Sequence, residues 1–528
     1  MSLRRWFFVF VFVALHLCQN CSKSASDSFE NQIRMAVSQD PHTIEPIEAD
    51  SGASLFVVKQ LTSTLLTAAS DGGISVQEAE SFIWEKNGFK LIIKVKPNLK
   101  WSNGEVRPPC TYYEAALKNL DPKTRGPFSD LLFEVKGYNP EWTAFDFEKK
   151  RAEIALSCDE VKREIVVESR VPYSRKIISA FAFPITSPTH EDYPKVTSGP
   201  FKIYHWKKGE SLLLLRNSFF SEPRVDGAAE SVRIQVIKDS TVASILFDKG
   251  ELDVVDEIPL IQIEKYQKNG TLKTWPFVAT YMLGFGFYKK PLDVNFRKAI
   301  SSIVRKIEIE LLLKTGEKPA EGWVPISLAK SATDYEALSV FSGKTPFQFD
   351  TFKKGFKKTY LDIPIYFNLN ERNKLILERA GRLLEENLGF KFRLEPTEWK
   401  VLLSDLKNNP PQIYRFAWTA VYPDPLFFLE IFQTGNINNY GRWSHKEYDL
   451  IVKELLEWPT FERDQKFWKK FKRAHEILVL EDPALVPIYH YVKNFLVSQR
   501  LLNWNADFRG IADLSKVQIN HESKNSNL

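Results

Sequence analysis

QIYRFAWTAVYPDP, residues 412–425, is the stretch on which the reading of this chain turns. Ile413, Tyr414, Phe416 and Trp418 make a short apolar and aromatic run, the signature of a buried strand. Pro423-Asp424-Pro425 ends it, because proline has no N–H to donate and a fixed φ. Arg415 is the one charge inside the run. A cation in an otherwise buried strand needs a carboxylate partner or a water-lined cavity. Two readings stand at this point: a core strand with Arg415 turned to solvent, or a strand along a cleft.

Working outward, 363–369 reads as a strand, 373–387 as an amphipathic helix stopped by Gly389, and 390–395 as a strand leading into the central stretch. Further upstream, 32–38 is a first strand ended by Asp40-Pro41, 55–66 has helical spacing, and 90–95 and 164–171 read as strands. Strands over 198–204, 212–215 and 232–237, a helix over 240–249 and a strand from 252 give an order that favours an α/β sheet. Residues 280–288 are strand-like and 295–313 read as one amphipathic helix. Downstream, 448–457 and 463–479 read as helices and 484–491 as a strand, and the polar tail beyond 516 is expected to be disordered.

The 528 residues are 44% hydrophobic and 26% charged, enough for large cores and roughly two to four domains. Lysine and arginine number 72 against 66 acids, a net +6 without basic runs, which argues against a nucleic-acid partner. An aromatic content of 13% suits a ligand-lined cleft as well as a core. Arg4 and Arg5 precede an apolar run over 6–17, shorter than the roughly 20 residues of a spanning helix, so 1–20 reads as a secretory signal. Cys18 and Cys21 lie where a bacterial lipoprotein carries its acylated cysteine. Cys21, followed by a polar tether over 22–26, is the better candidate, and a plain cleaved signal is the alternative. Cys110 and Cys158 can pair in an oxidising compartment, but nothing in the sequence brings them together.

Nothing asks for catalysis, a metal or a cofactor. There is no G-x-x-x-x-G-K-S/T, no G-x-G-x-x-G and no G-x-S-x-G. The eight histidines are scattered without zinc spacing, and His475-Glu476 lacks the second histidine of a zinc helix, so each is expected at the surface or at a cap.

Five stretches in order carry a family resemblance: 40–46 (DPHTIEP), 100–104 (KWSNG), 198–201 (SGPF) with Asn217 and 250–253 (GELD), 295–300 (NFRKAI), and 418–425 (WTAVYPDP). Together they resemble the extracytoplasmic solute-binding proteins of family 5, the oligopeptide, dipeptide and nickel ABC-transporter class. The resemblance implies an α/β, two-lobed, hinged fold of the type II periplasmic-binding (flytrap) kind with an additional inserted domain. Its expected division is a signal over 1–20 and a tether over 21–31. The first lobe would take 32–53, 189–279 and 490–515, the inserted domain 54–188, the second lobe 280–489, and the polar tail 516–528.

The resemblance also implies roles. Glu45 and Arg415 occupy the positions of an acid and an arginine that pair across the cleft, and Trp418 those of a pocket wall, with Thr419, Ala420, Val421 and Tyr422 beside it. This favours the cleft reading of Arg415. Val421 stands where peptide-binding members place the aspartate that grips a free α-amino group. Gly286 stands where many carry asparagine, and Thr111 and Glu114 also depart from the pattern. The expected function is a non-enzymatic binding module, anchored by lipid at Cys21, that captures a small peptide-like or other solute and hands it to a permease. An extracytoplasmic sensor or assembly protein on the same fold is the alternative.

Overall fold

The computed structural model describes residues 31–68, 73–343, 362–459 and 462–521. The expected signal, Cys18, the lipidation candidate Cys21 and the expected tether up to residue 30 lie outside them. Ten strands build the large sheet: β1 (Gln32–Val37), β2 (Phe201–Lys207), β3 (Ser211–Arg216), β4 (Ser231–Val236), β5 (Val254–Val255), β6 (Leu272–Phe285), β7 (Asp362–Asn368), β8 (Lys391–Thr397), β9 (Ile413–Thr419) and β10 (Leu485–Val497). Their order is β8-β7-β9-β6-β10-β5-β1-β4-β3-β2, with a short Lys318–Pro319 strand added beside β10.

β1 lies parallel between β4 and β5, and all of it but half-buried Arg34 is buried, polar Gln32 included. β7 runs parallel to both β8 and β9. The crossover between β7 and β8 is the helix Glu371–Leu388, capped by the Asn370 side chain and ended by Gly389. Its buried face (Ile376, Leu377, Ala380, Leu384) packs on Ile363, Ile365 and Phe367 of β7 in a core of its own.

β6 and β10 tie the two halves of the sheet together. Leu272–Pro276 pairs with 492–496, and Thr280–Gly284 pairs with 485–490 after a register shift. Pro276 has no N–H for the ladder, and Val278 turns its own N–H to Phe508 O at 2.9 Å. Both strands are longer than the sequence suggests. The proline hides the first half of β6, and the lysine and asparagine at 493 and 494 hide the second half of β10.

Other elements also differ from the sequence reading. Residues 295–313 form two helices, Val294–Val304 and Ile309–Leu313, because the chain tightens into i→i+3 bonds at Lys306 and Ile307. That turn returns Ile309 and Leu313 to the same core as Phe296 and Ile300. The chain does not become a free tail at 516: Gln518–Ile519 pairs with Leu501–Leu502, and Val517 and Ile519 are buried. His475 and His490 are core residues rather than surface or capping ones. A neutral imidazole offers one donor and one acceptor, which lets a histidine be satisfied inside.

Between residues 66 and 187 the chain adds a four-stranded antiparallel sheet in the order Ala79–Glu85, Lys90–Val95, Glu164–Glu168, Leu156–Asp159, with the helix Thr111–Leu120 beside it. Cys110, just ahead of that helix, is disulfide-bonded to Cys158 in the edge strand. The bond closes a loop with a sequence separation of 48 residues, so its main effect is on the unfolded chain. Replacing both cysteines by serine is expected to lower unfolding stability by about 2–4 kcal/mol. Urea melts of the variant and of the oxidised parent, compared at one temperature, measure it.

Candidate ligand-binding cleft

A cleft of about 870 Å³ opens where β6 and β10 pass between the halves of the sheet. One wall carries the end of β1 and the residues after it (Val37, Ser38, Gln39), Phe56 and Asp256. The facing wall carries Asn370, Arg372 and Arg415, while Phe277, Tyr491 and Lys493 line the joint and Arg509 the carboxy-terminal turn.

Arg415 lies on β9 opposite Leu283 of β6 and is 8% exposed. It donates to Asn368 Oδ1 at 2.9 Å and Tyr491 Oη at 2.7 Å, and its guanidinium sits 4.5 Å from the Tyr281 ring centroid. All three partners are neutral, and among the described residues Arg415 has no carboxylate partner. Neighbouring Arg372 is paired with Glu317. On the opposite wall, burial pushes the Asp256 carboxyl above its usual range, against Lys493 and the Ser38 N–H at 3.1 Å. Glu257 and Glu371 also border the cleft and are exposed.

Of the residues expected to hold ligand, only Arg415 borders this cavity. Glu45 and Arg415 are not paired here. Glu45 is half-buried, and burial raises its carboxyl despite Lys118. It sits beside Tyr193, whose hydroxyl donates to Ile44 O at 2.5 Å. Trp418 is stacked on Phe427 with centroids 5.5 Å apart, and its buried Nε1 has no acceptor among the described residues. Thr419 is exposed, Ala420 is buried with its N–H on Val278 O at 2.8 Å, and Val421 is half-buried.

Tyr422 is committed elsewhere, donating to Glu430 Oε1 at 3.1 Å within a buried charged cluster. There Lys176 meets Glu430 at 3.0 Å, and Asp424 takes Arg463 at 2.8 and 2.6 Å with Arg175 at 3.6 Å. Asp424 therefore has no free oxygen to replace the missing acid at Val421. Asp50 pairs with His42, and Glu48 accepts from Thr43, both at the surface. Gly286 cannot be asparagine on this backbone, because a Cβ would lie 2.3 Å from Pro411 O.

Sequence reasoning passed over Asp256, Arg372, Tyr491, Lys493 and Arg509. One of them had a local signal: in Asp507-Phe508-Arg509-Gly510 the aspartate caps the turn, accepting from the N–H groups of Arg509 and Ile511, and Gly510 takes φ +67°.

The family model of bacterial extracellular solute-binding proteins, family 5 Middle, matches residues 74–440. The oligopeptide-binding protein OppA of Bacillus subtilis (strain 168) is 25% identical over 494 residues, covering 89% of each chain. The dipeptide-binding protein DppE of the same strain is 25% identical over 500 residues, covering 90% of each. The structure of the Escherichia coli murein tripeptide binding protein MppA superposes with a TM-score of 0.74 at 20% identity, over 92% of this chain and 98% of that one. With two halves joined by paired strands around a cleft, and the family match over most of its length, the chain belongs to the bacterial extracellular solute-binding proteins of family 5.

Proposed function

We propose that this protein is the extracytoplasmic substrate-binding component of an ABC transporter. It captures a peptide-like or other small solute between its two lobes and delivers it to a membrane permease. The observation that carries this reading is the cleft of about 870 Å³, the size of a small-molecule or short-peptide site, crossed at its base by β6 and β10. Relatives bearing the names of oligopeptide- and dipeptide-binding proteins support the peptide-like class. Binding that favours a closed arrangement of the lobes needs no covalent step, so the protein is not an enzyme in this reading.

The lobes divide between 279 and 280 and between 489 and 490, next to the register shift of β6, with 54–188 as an inserted domain. On closure Glu45 supplies the carboxylate that Arg415 lacks, and Trp418 to Tyr422 approach the ligand. A signal over 1–20 and acylation of Cys21 place the protein outside the cytoplasm on a lipid anchor.

Val421 shapes the ligand choice. A free peptide amine is a cation, and enclosing it without a carboxylate is unfavourable. N-acetylated peptides are therefore expected to bind at least as tightly as their free-amine counterparts. Calorimetry on matched tripeptide mixtures, with native mass spectrometry of the protein purified from its own host, tests both parts. A tenfold preference for the free amine would defeat the amine argument. No bound solute and no response to any peptide would defeat the transport reading itself.

A further inference from the structure

The turn Asp507-Phe508-Arg509-Gly510 brings a third arginine to the cleft, after Arg372 and Arg415, on the wall formed by the carboxy-terminal end of the chain. Its guanidinium is held between two rings, 4.2 Å from the Phe183 centroid and 5.0 Å from that of Phe508. One nitrogen, Nη2, donates to Asp507 Oδ2 at 3.2 Å. The same carboxylate oxygen already takes Lys59 Nζ at 3.0 Å, and the other oxygen takes two backbone N–H groups. Two cations thus share one carboxylate that is only 6% exposed. Nε and Nη1 of Arg509 are buried with no acceptor among the described residues.

The surroundings do not supply the missing acceptor. Lys493 packs its stem so close to Gly510 that a Cβ there would lie 2.7 Å from Lys493 Cγ, and it directs its ammonium to Asp256. Arg415, on the same cavity, has no carboxylate partner among the described residues and also keeps a buried Nε without a protein acceptor. The cleft therefore holds two guanidiniums, three of whose nitrogens are buried and lack an acceptor among the described residues. A buried donor without an acceptor is unfavourable, whereas a charge-assisted bond to an anionic oxygen is among the strong ones.

We propose that Arg509 is a ligand-binding residue of the cleft, whose Nε and Nη1 groups take an oxyanion of the captured solute. The ligand class is a solute with a carboxylate or phosphate end, recognised by that end rather than by an amine. This rests on the solute-binding reading above.

The test is calorimetry on the full mature chain with three probes: an N-acetylated tripeptide mixture as free acids, the same mixture as amides, and inorganic phosphate. The parent should bind the acids at least 30-fold more tightly than the amides. Arg509→Met should erase that preference, with a lower melting midpoint because buried Asp507 loses one of its two cations. Phosphate binding that Arg509→Met abolishes, with acids no better than amides, would support the same site with a phosphorylated solute as its source. Equal binding of acids and amides without phosphate binding, or an acid preference that survives Arg509→Met, would overturn the assignment and leave solute capture standing. Failure of every probe to bind would overturn both. Should Arg509→Met not fold, Arg509→Lys keeps the cation over Phe183 and must still lose tenfold or more in acid affinity.

Discussion

Arg107→Ala is expected to remove about 3–5 kcal/mol of unfolding stability, because it strands a carboxylate in the protein interior. Glu78 is completely buried, and Arg107 is 2% exposed. The arginine donates to Glu78 Oε2 at 2.5 Å and to Ser63 Oγ at 2.9 Å. Glu78 also receives Ser63 Oγ at 2.6 Å, the Tyr112 hydroxyl, and Ser221 Oγ at 2.7 Å from the stretch that follows β3. Removing the cation leaves three hydroxyl donors around a charge that they cannot neutralise. Exchanging both partners for apolar residues of similar volume, Glu78→Leu with Arg107→Met, should cost much less than the sum of the two single alanine changes. Denaturant melts of the singles and the pair form the cycle. An Arg107→Ala loss below 1 kcal/mol, or strict additivity, would show that the pair is not what joins this region to β3.

Four of the stretches that made the sequence recognisable, 100–104, 198–201, 250–253 and 295–300, make contacts within the scaffold. Trp101 and Glu105 close the 100–104 turn, and Ser102 exchanges hydrogen bonds with Thr197 just before the 198–201 stretch. Asn217 donates to Gly199 O at 2.8 Å, so two motifs distant in sequence form one knot. Asp253 holds both Arg34 and Arg500, and Arg297 reaches Asp482 at 2.7 Å and the carbonyls of Leu292 and Pro483. These side chains recur in short, rigid patterns because turns and buried ion pairs fix both residue type and spacing. That is why they can be read from a sequence.

The cleft is less legible for the same physical reason. Asp256, Arg372, Tyr491 and Arg509 come from four separate segments, and no spacing rule links them. Arg415 was visible only because a charge inside an apolar strand is a local contradiction. Its partners, Asn368 and Tyr491, are ordinary residues until β7 and β10 bring them close. The charged cluster around Asp424 shows the opposite hazard. The Pro-Asp-Pro turn directly follows the candidate ligand residues 418–422, yet Arg463 and Arg175 enclose its aspartate, which does not border the cleft.

Acid should destabilise the protein in two separate steps, and the larger belongs to the two buried histidines. Trp323 N–H donates to His475 Nε2 at 2.7 Å, so the proton of that ring is on Nδ1, facing Ala337 O at 3.1 Å. Thr280 donates its hydroxyl to Trp323 O at 2.9 Å, which leaves its oxygen to accept from His490 Nδ1 at 2.9 Å. A second proton on His475 would point at an N–H donor, and one on His490 would be buried without an acceptor. Burial, then, lowers His475 from 6.5 to about 4 and His490 to about 3, the latter helped by the nearby His475.

The sign follows from proton counts: between 6.5 and these values the unfolded chain binds protons that the native one refuses. Stability is complete above about 6.5 and is lost as pH falls toward 4 and then 3, on the order of 3 kcal/mol or more for each histidine. Against a usual total of about 5–15 kcal/mol, that is a large fraction of the stability. Asp507 titrates later. Burial alone would raise its carboxyl, but Lys59 and Arg509 hold it at about 2, so its share is lost only between 3.8 and about 2. Urea melts from pH 7.5 to 4 should show a steep fall in the parent and a much flatter one in His475→Gln/His490→Asn, whose neutral amides keep a donor and an acceptor. A double variant with the parent's pH slope would mean that the acid step lies elsewhere.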